Sequence, residues 1–125
     1  MTKAIVLFAH GARDPRWAEP FEAVAAQVRA AAPGCAVVLA FLELMAPTLG
    51  DAAAGLVAAG ATRVDVVPLF LGTGGHLRRD LPPLVDALRA AHPHVDFRLH
   101  AAIGEHAAVV EAMAAAAVAA AGFSE

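Results

Sequence analysis

The sequence predicts an α/β domain: a four-stranded parallel sheet, strand order 2-1-3-4, with helices on both faces. Three observations lead there. Four short apolar runs alternate with four helical stretches. The first and third runs are almost continuously apolar, as strands covered on both faces are. The alternation proceeds without linkers, repeats or low-complexity tails, so each strand is followed by a crossover helix. The whole chain, residues 1–125, reads as one domain of this kind.

Strand 1 is expected at about Ala4 to Ala9. A helix follows from about Pro15 to Ala32, opened by proline and stopped by Pro33-Gly34. Strand 2 covers about Ala36 to Leu42 and ends at Glu43, and Pro47-Thr48 leads into a helix over about Thr48 to Ala59, stopped by Gly60. Strand 3 is expected from Val64 to Leu71. The third helix, about Leu77 to Ala91, must hold Pro82-Pro83 in its first turn or bend there. Strand 4, about Val95 to Leu99, leads to a last helix over about Glu105 to Ala121. In the order 2-1-3-4 the switch point lies between strands 1 and 3, and ligands of open α/β sheets bind at the strands' carboxyl ends there.

Composition narrows the setting. The hydrophobic fraction of 59% is inflated by alanine. The longest apolar run, near Ala112 to Ala121, is about half the ~20 residues that a spanning helix needs. No secretory h-region follows the N-terminus, so a soluble, cytoplasmic protein is expected, with no membrane partner. Cys35 is the only cysteine, which excludes an internal disulfide or a cysteine-rich metal site within one chain. A net charge of -3 argues against nucleic acid. Four of the nine basic residues, Arg13, Arg16, Arg78 and Arg79, nevertheless gather beside two histidine loops.

Those loops carry the chemistry. Strand 1 opens into His10-Gly11-Ala12-Arg13-Asp14-Pro15, and strand 3 opens into Gly72-Thr73-Gly74-Gly75-His76-Leu77-Arg78-Arg79-Asp80. Either histidine alone would read as a helix cap or a carbonyl partner. Two imidazoles at one sheet edge suit a borderline transition metal and proton transfer near neutral pH. Glu43, at the end of strand 2, is either a solvated carboxylate or a third ligand and proton acceptor. Arginine pairs bidentately with carboxylate or phosphate, so Arg13, Arg78 and Arg79 read as grips on an acidic ligand, unless Asp14 and Asp80 pair with them locally. The glycine spacing before His76 matches neither a P-loop nor a dinucleotide fingerprint. His100, also on this edge, reads as structural. His106 is expected in the first turn of the last helix, and His92 and His94 as solvated. Trp17 reads as helix surface or interface.

Several ordered segments resemble the sirohydrochlorin chelatases. His10-Gly11-Ala12-Arg13-Asp14-Pro15 is similar to their His-Gly-Ser-Arg-Asp-Pro opening, with Ala12 where serine is usual. Phe41-Leu42-Glu43-Leu44 with Pro47-Thr48-Leu49 resembles their strand 2 exit. Val67-Pro68-Leu69-Phe70-Leu71, Gly74-Gly75-His76 and Asp80-Leu81-Pro82 resemble their second histidine segment. The resemblance is to the small, single-domain cobaltochelatase type, related to class II chelatases, which assembles as a homodimer where larger relatives fuse two lobes. It implies insertion of a divalent metal, Co2+, Fe2+ or Ni2+, into sirohydrochlorin, on the way to cobalamin or siroheme. The metal would be a substrate, with no permanently bound cofactor. His10, His76 and Glu43 would hold it and take the pyrrole protons. Arg13, Arg78, Arg79, Gly74 and Gly75 would bind the acidic macrocycle. The alternative of another class is a non-catalytic tetrapyrrole or metal carrier using the same site. Other readings fail on residues. A phosphohistidine phosphatase needs arginine where Ala9 stands, a receiver domain needs an aspartate where Leu71-Gly72 stand, and Ser124 is the only serine for a hydrolase elbow.

Overall fold

Strands β1 (Lys3–Ala9), β2 (Ala36–Phe41), β3 (Arg63–Pro68) and β4 (Asp96–Leu99) pair in parallel in the order β2-β1-β3-β4. The structure is a computed structural model. It describes residues 2–72 and 74–123, with the backbone but not the side chain of His76. Between the strands run α1 (Glu19–Ala31), α2 (Leu49–Ala58) and α3 (Gly75–Ala91), and α4 (Ala107–Ala120) closes the chain. In register, Ala4 lies opposite Ala36 on one side and Val64 on the other.

The period-two alternation of strands sorts the core onto two faces. Ala4, Val6 and Phe8 of β1, Val64 and Val66 of β3 and Phe97 of β4 share one face, covered by Leu49, Ala52, Ala53 and Leu56 of α2 and by Leu81, Val85 and Leu88 of α3. Leu7 and Val37 share the other face with Ala25 of α1. Phe8, Val6, Val64, Val66 and Val85 are fully buried, so truncating Phe8 to alanine costs roughly 3–5 kcal/mol. The central strand β1 is thus apolar on both sides because both sides are covered.

Helix boundaries follow local chemistry. The first helical stretch divides in two. Asp14 caps a short 3-10 helix over Pro15–Ala18 by accepting from the Arg16 N–H. Pro20 has no N–H to offer the Arg16 carbonyl, and the Glu19 N–H bonds it instead, so α1 begins at Glu19. Thr48 caps α2, its Oγ1 accepting from the Asp51 N–H at 3.1 Å. Strand β3 stops at Pro68 rather than continuing to Leu71. Pro68 has no N–H to extend the ladder, and although the Leu69 N–H still reaches Phe8 O at 2.8 Å, Leu71 is exposed. Helix α3 begins at Gly75, two residues earlier than expected, and so holds Pro82 and Pro83 in its interior rather than its first turn. Neither proline has an N–H to donate to the carbonyl four residues before it.

The largest departures lie at the C-terminal end. A 3-10 helix at Ile103–Glu105 precedes α4, and His106 is the N-cap of α4 rather than part of its first turn. Gly104 explains the interruption. Its N–H donates to Phe70 O at 2.9 Å, and a Cβ there would lie 1.8 Å from Leu71 O, so the segment is tied to the β3 exit. Helix α4 itself lies off the sheet and buries none of its residues. His92 is not solvated as expected: it caps α3 and is half-buried, its ring 6.0 Å from Phe97.

Candidate active site at the carboxyl edge of the sheet

Pairing between β1 and β2 continues past the strands and builds the site. The Leu42 N–H donates to Ala9 O at 2.9 Å and the Glu43 N–H donates to His10 O at 3.0 Å. Gly11 sits immediately above this junction with φ +97°, and a Cβ on it would lie 1.9 Å from Glu43 O. Only glycine gives both the left-handed conformation and the close approach. The consequence is that His10 and Glu43 emerge side by side, with His10 Nε2 3.4 Å from Glu43 Oε1 and the two side chains 52% and 53% exposed. Both keep contact with solvent. The Phe70 ring stands edge-on to the imidazole, with centroids 6.3 Å apart, and fixes one side of it. Leu44, next along, holds φ +66°, a conformation a leucine adopts at a cost of about 1–3 kcal/mol. That strain lies directly beside the Glu43 junction.

A cavity of about 420 Å³ opens in front of the pair, lined by His10, Leu42, Glu43, Leu77, Asp80, Leu81 and Leu84. It lies between the ends of β1 and β2 and the first turns of α3. Asp80 is the residue that sequence reasoning missed, having been read only as a local partner for arginine. The available signal is its spacing: positions 76 and 80 are four apart on α3 and share a helix face. The backbone of His76 belongs to the first turn of α3, and its side chain lies outside the described residues. His10 and Glu43 supply two donors suited to a divalent metal. Among the described residues no group of three His, Cys, Asp or Glu side chains gathers to hold one.

The arginines stand on either side of this centre. Arg13 lines a separate hollow of about 400 Å³ on the β2 side, with Leu44 and Met45. Asp14 pairs with Arg16 at 3.0 Å, and the hydrogen bonds from Arg16 hold its carboxyl below the ordinary value. The local partner of Asp14 is thus Arg16 rather than Arg13, and Arg13 has no salt bridge among the described residues. Arg78 lines a hollow of about 230 Å³ on the β4 side, with His100 and Glu105. Arg79 Nε donates to Gly75 O at 3.2 Å and its head is exposed. Gly74 caps α3 and Gly75 begins it, both exposed and uncrowded. Thus His10, Glu43 and Asp80 share one cavity, and Arg13 and Arg78 flank it from opposite ends of the sheet edge.

His100 is engaged by a carboxylate of the neighbouring strand. Its Nε2 lies 2.7 Å from Asp65 Oδ1, and Asp65 also accepts from Arg63 Nε at 3.0 Å. Burial pushes the Asp65 carboxyl up, but the hydrogen bonds from Arg63 and His100 outweigh burial and hold it below its ordinary value of 3.8. The same bond raises Arg63. Trp17 stacks on Phe21 at 4.6 Å and packs against Ala18 and Phe41, away from the cavity.

Comparison with known proteins agrees with this architecture. The family model described as CbiX matches residues 4–120. A sirohydrochlorin cobaltochelatase from Saccharolobus solfataricus is 37% identical over 81 residues, 65% of this chain and 62% of that protein. One from Methanopyrus kandleri is 34% identical over 82 residues, 66% of this chain and 57% of that protein. The matched region therefore spans about three fifths of these relatives' own length. Among solved structures, a CbiX protein from Marinobacter aquaeolei VT8 superposes with a TM-score of 0.84 at 34% identity, covering 95% of this chain and 97% of that one. The sirohydrochlorin chelatase SirB from Bacillus subtilis subspecies spizizenii, solved in complex with cobalt, superposes with a TM-score of 0.80 at 29% identity. It covers 92% of this chain and 49% of SirB.

Proposed function

The chain belongs to the CbiX family, and from that premise we propose that it is a sirohydrochlorin chelatase, a lyase inserting a divalent metal ion into the macrocycle. Co2+ is the first candidate, with Fe2+ and Ni2+ as others. The relatives' names and the cobalt complex of SirB support metal insertion into this substrate. The observation that carries the reading is the His10–Glu43 pair on the wall of a cavity that Asp80 also lines.

Metal insertion exchanges two pyrrole N–H protons for one dication, so charge balances only if the site accepts two protons. Neutral His10 can offer Nε2 to the incoming metal or take a proton there. Glu43, 3.4 Å away, stabilises the imidazolium that results, or itself accepts the second proton. His76 is the further ligand and base in this reading. Arg13 and Arg78, on opposite flanks, grip peripheral carboxylates, and Arg79, Gly74 and Gly75 complete that grip at the start of α3. A broad, flat, acidic ring spans such a layout, whereas a small anion would need only one arginine.

One lobe leaves this edge open, and two copies would wall the ring from both sides. The functional species in this reading is a homodimer, acting in the cytoplasm, with no resident cofactor. The supporting observation is that this chain covers only 49% of SirB, as a half would. Steady-state turnover tests the activity: sirohydrochlorin is mixed with Co2+, Fe2+ or Ni2+ and metallation followed by absorbance. Binding of the tetrapyrrole without release of metallated product would overturn the enzymatic reading.

A further inference from the structure

Outside α4 and the residues just beyond it, the exposed large apolar side chains among the described residues are Val24, Leu44, Leu71 and Leu84. The three leucines all stand at the candidate site. Leu44 follows Glu43 directly. Leu71 follows Phe70, whose ring packs against the His10 imidazole. Leu84 lies on the wall of the same cavity as His10 and Glu43, one helical turn after Asp80 on α3. The three are 59%, 63% and 38% exposed, so packing in the core does not account for them.

Their backbone is pinned. The Met45 N–H closes a three-residue turn on Glu43 O at 2.8 Å, with Leu44 at its centre and at φ +66°. Such turns are rare and strained, and a left-handed conformation suits glycine or asparagine better than leucine. Gly11 packs on the same Glu43 carbonyl, which leaves the turn no room to slide. Leu71 is presented in the same manner. Gly104 packs on the Leu71 carbonyl, and its N–H holds the neighbouring Phe70 carbonyl at 2.9 Å. An exposed leucine in a strained backbone contributes little to stability, and strain of this kind gathers where ligands bind.

We propose that Leu44, Leu71 and Leu84 form an apolar collar on which the flat face of the tetrapyrrole rests. This rests on the chelatase reading above and adds the contacts that the metal donors and the arginines leave unassigned. The site runs in three zones. His10, Glu43 and Asp80 line the cavity. The leucines stand around it, Leu44 at the β2 exit, Leu71 at the β3 exit and Leu84 on α3. Arginines lie beyond: Leu44 shares its hollow with Arg13, and Arg78 lines the hollow on the β4 side. An acidic macrocycle has the same three zones, with ring nitrogens at the centre, an apolar face around them and carboxylates at the rim. Covering the leucines with that face removes apolar surface of both partners from water.

The test is equilibrium binding of metal-free sirohydrochlorin, followed by absorbance, to the wild type and to Leu44→Asn, Leu71→Gln and Leu84→Gln. Covering half of a leucine corresponds to about a fivefold gain in affinity, so each variant should bind about fivefold more weakly and the triple variant on the order of 100-fold. These contacts are apolar, so the factors should hold at low and high salt, whereas salt should erode the effect of reversing Arg13. Leu44→Asn should also keep or raise the urea midpoint, because asparagine tolerates positive φ. Val24→Gln, at a residue 41% exposed on α1, is the control and should bind like wild type. Light scattering of each variant checks its mass. Wild-type affinity in all three variants would overturn the collar and leave the chelatase reading standing. Weaker binding that tracks a change in mass would also overturn it, since the leucines would then act between copies. A wild type that binds no tetrapyrrole would overturn the chelatase reading, and the collar with it.

Discussion

Gly11→Ala is the most demanding test of how this fold makes its site. The added methyl would lie 1.9 Å from Glu43 O, where contact needs more than 3 Å, and what it meets is backbone rather than a flexible side chain. Either the β2 exit retreats by over 1 Å or Gly11 leaves its φ of +97°. Holding alanine at that φ costs about 1–3 kcal/mol. Losing the Glu43 N–H to His10 O bond costs a further ~0.5–1.5 kcal/mol. Destabilisation of about 2–4 kcal/mol is expected, which lowers the urea midpoint by roughly 1–2 M at ordinary slopes. Turnover should fall further than stability does. A shift of ~1 Å in a positioned group can cost about 100-fold in rate, and Glu43 moves with the strand end. Gly55→Ala, in the exposed middle of α2 with nothing near its Cβ, is the control, and should gain up to ~1 kcal/mol. If Gly11→Ala unfolds and turns over like wild type, the junction does not set the His10–Glu43 geometry and the reasoning fails.

Three other outcomes are expected. His10→Ala should cut chelation by at least ~100-fold, the lower bound for a positioned acid–base group, with an unchanged denaturation midpoint because the side chain is half exposed; wild-type turnover would remove His10 from the chemistry. Charge reversal at Arg13 or Arg78 should raise the half-saturating sirohydrochlorin concentration more than that of the metal, and the effect should shrink as salt is added; an unchanged substrate dependence would count against both grips. Asp65→Asn should lower stability at neutral pH by ~1–3 kcal/mol. Because the Asp65 carboxyl is held below 3.8, its contribution is present above that pH and is lost as the pH falls through the lower folded value. Melting temperatures of wild type and variant should therefore converge on acidification, and parallel curves would refute the assignment.

The sheet was legible in the sequence because its strands are short apolar runs bounded by proline, glycine and charge. Strand order and switch point followed, and with them the adjacency of His10 and Glu43. Boundaries slipped wherever a backbone donor was missing or a backbone approached too closely: Pro20 divides the first helix, Pro68 ends β3, and Gly104 separates the last 3-10 turn from α4. None of these is visible to hydrophobic periodicity. Asp80 escaped notice because its role depends on where α3 begins, and the start at Gly75 was placed two residues late. The position of α4 was illegible for another reason. An alanine-rich helix with a single charge does not say which surface, if any, it meets, and α4 buries none of its residues.

The extension of the β1–β2 ladder to Leu42 and Glu43 has a consequence for how activity is lost. His10 follows the central strand β1, and Glu43, just past the edge strand β2, is tied to it by its N–H bond to His10 O, so the pair opens only with the sheet. Arg13 stands on a connecting loop, and such segments open locally at far smaller cost. Mild denaturant should therefore reach the two halves of the site in sequence. Hold on the tetrapyrrole should weaken while metal still binds, and metal should leave only with the global transition.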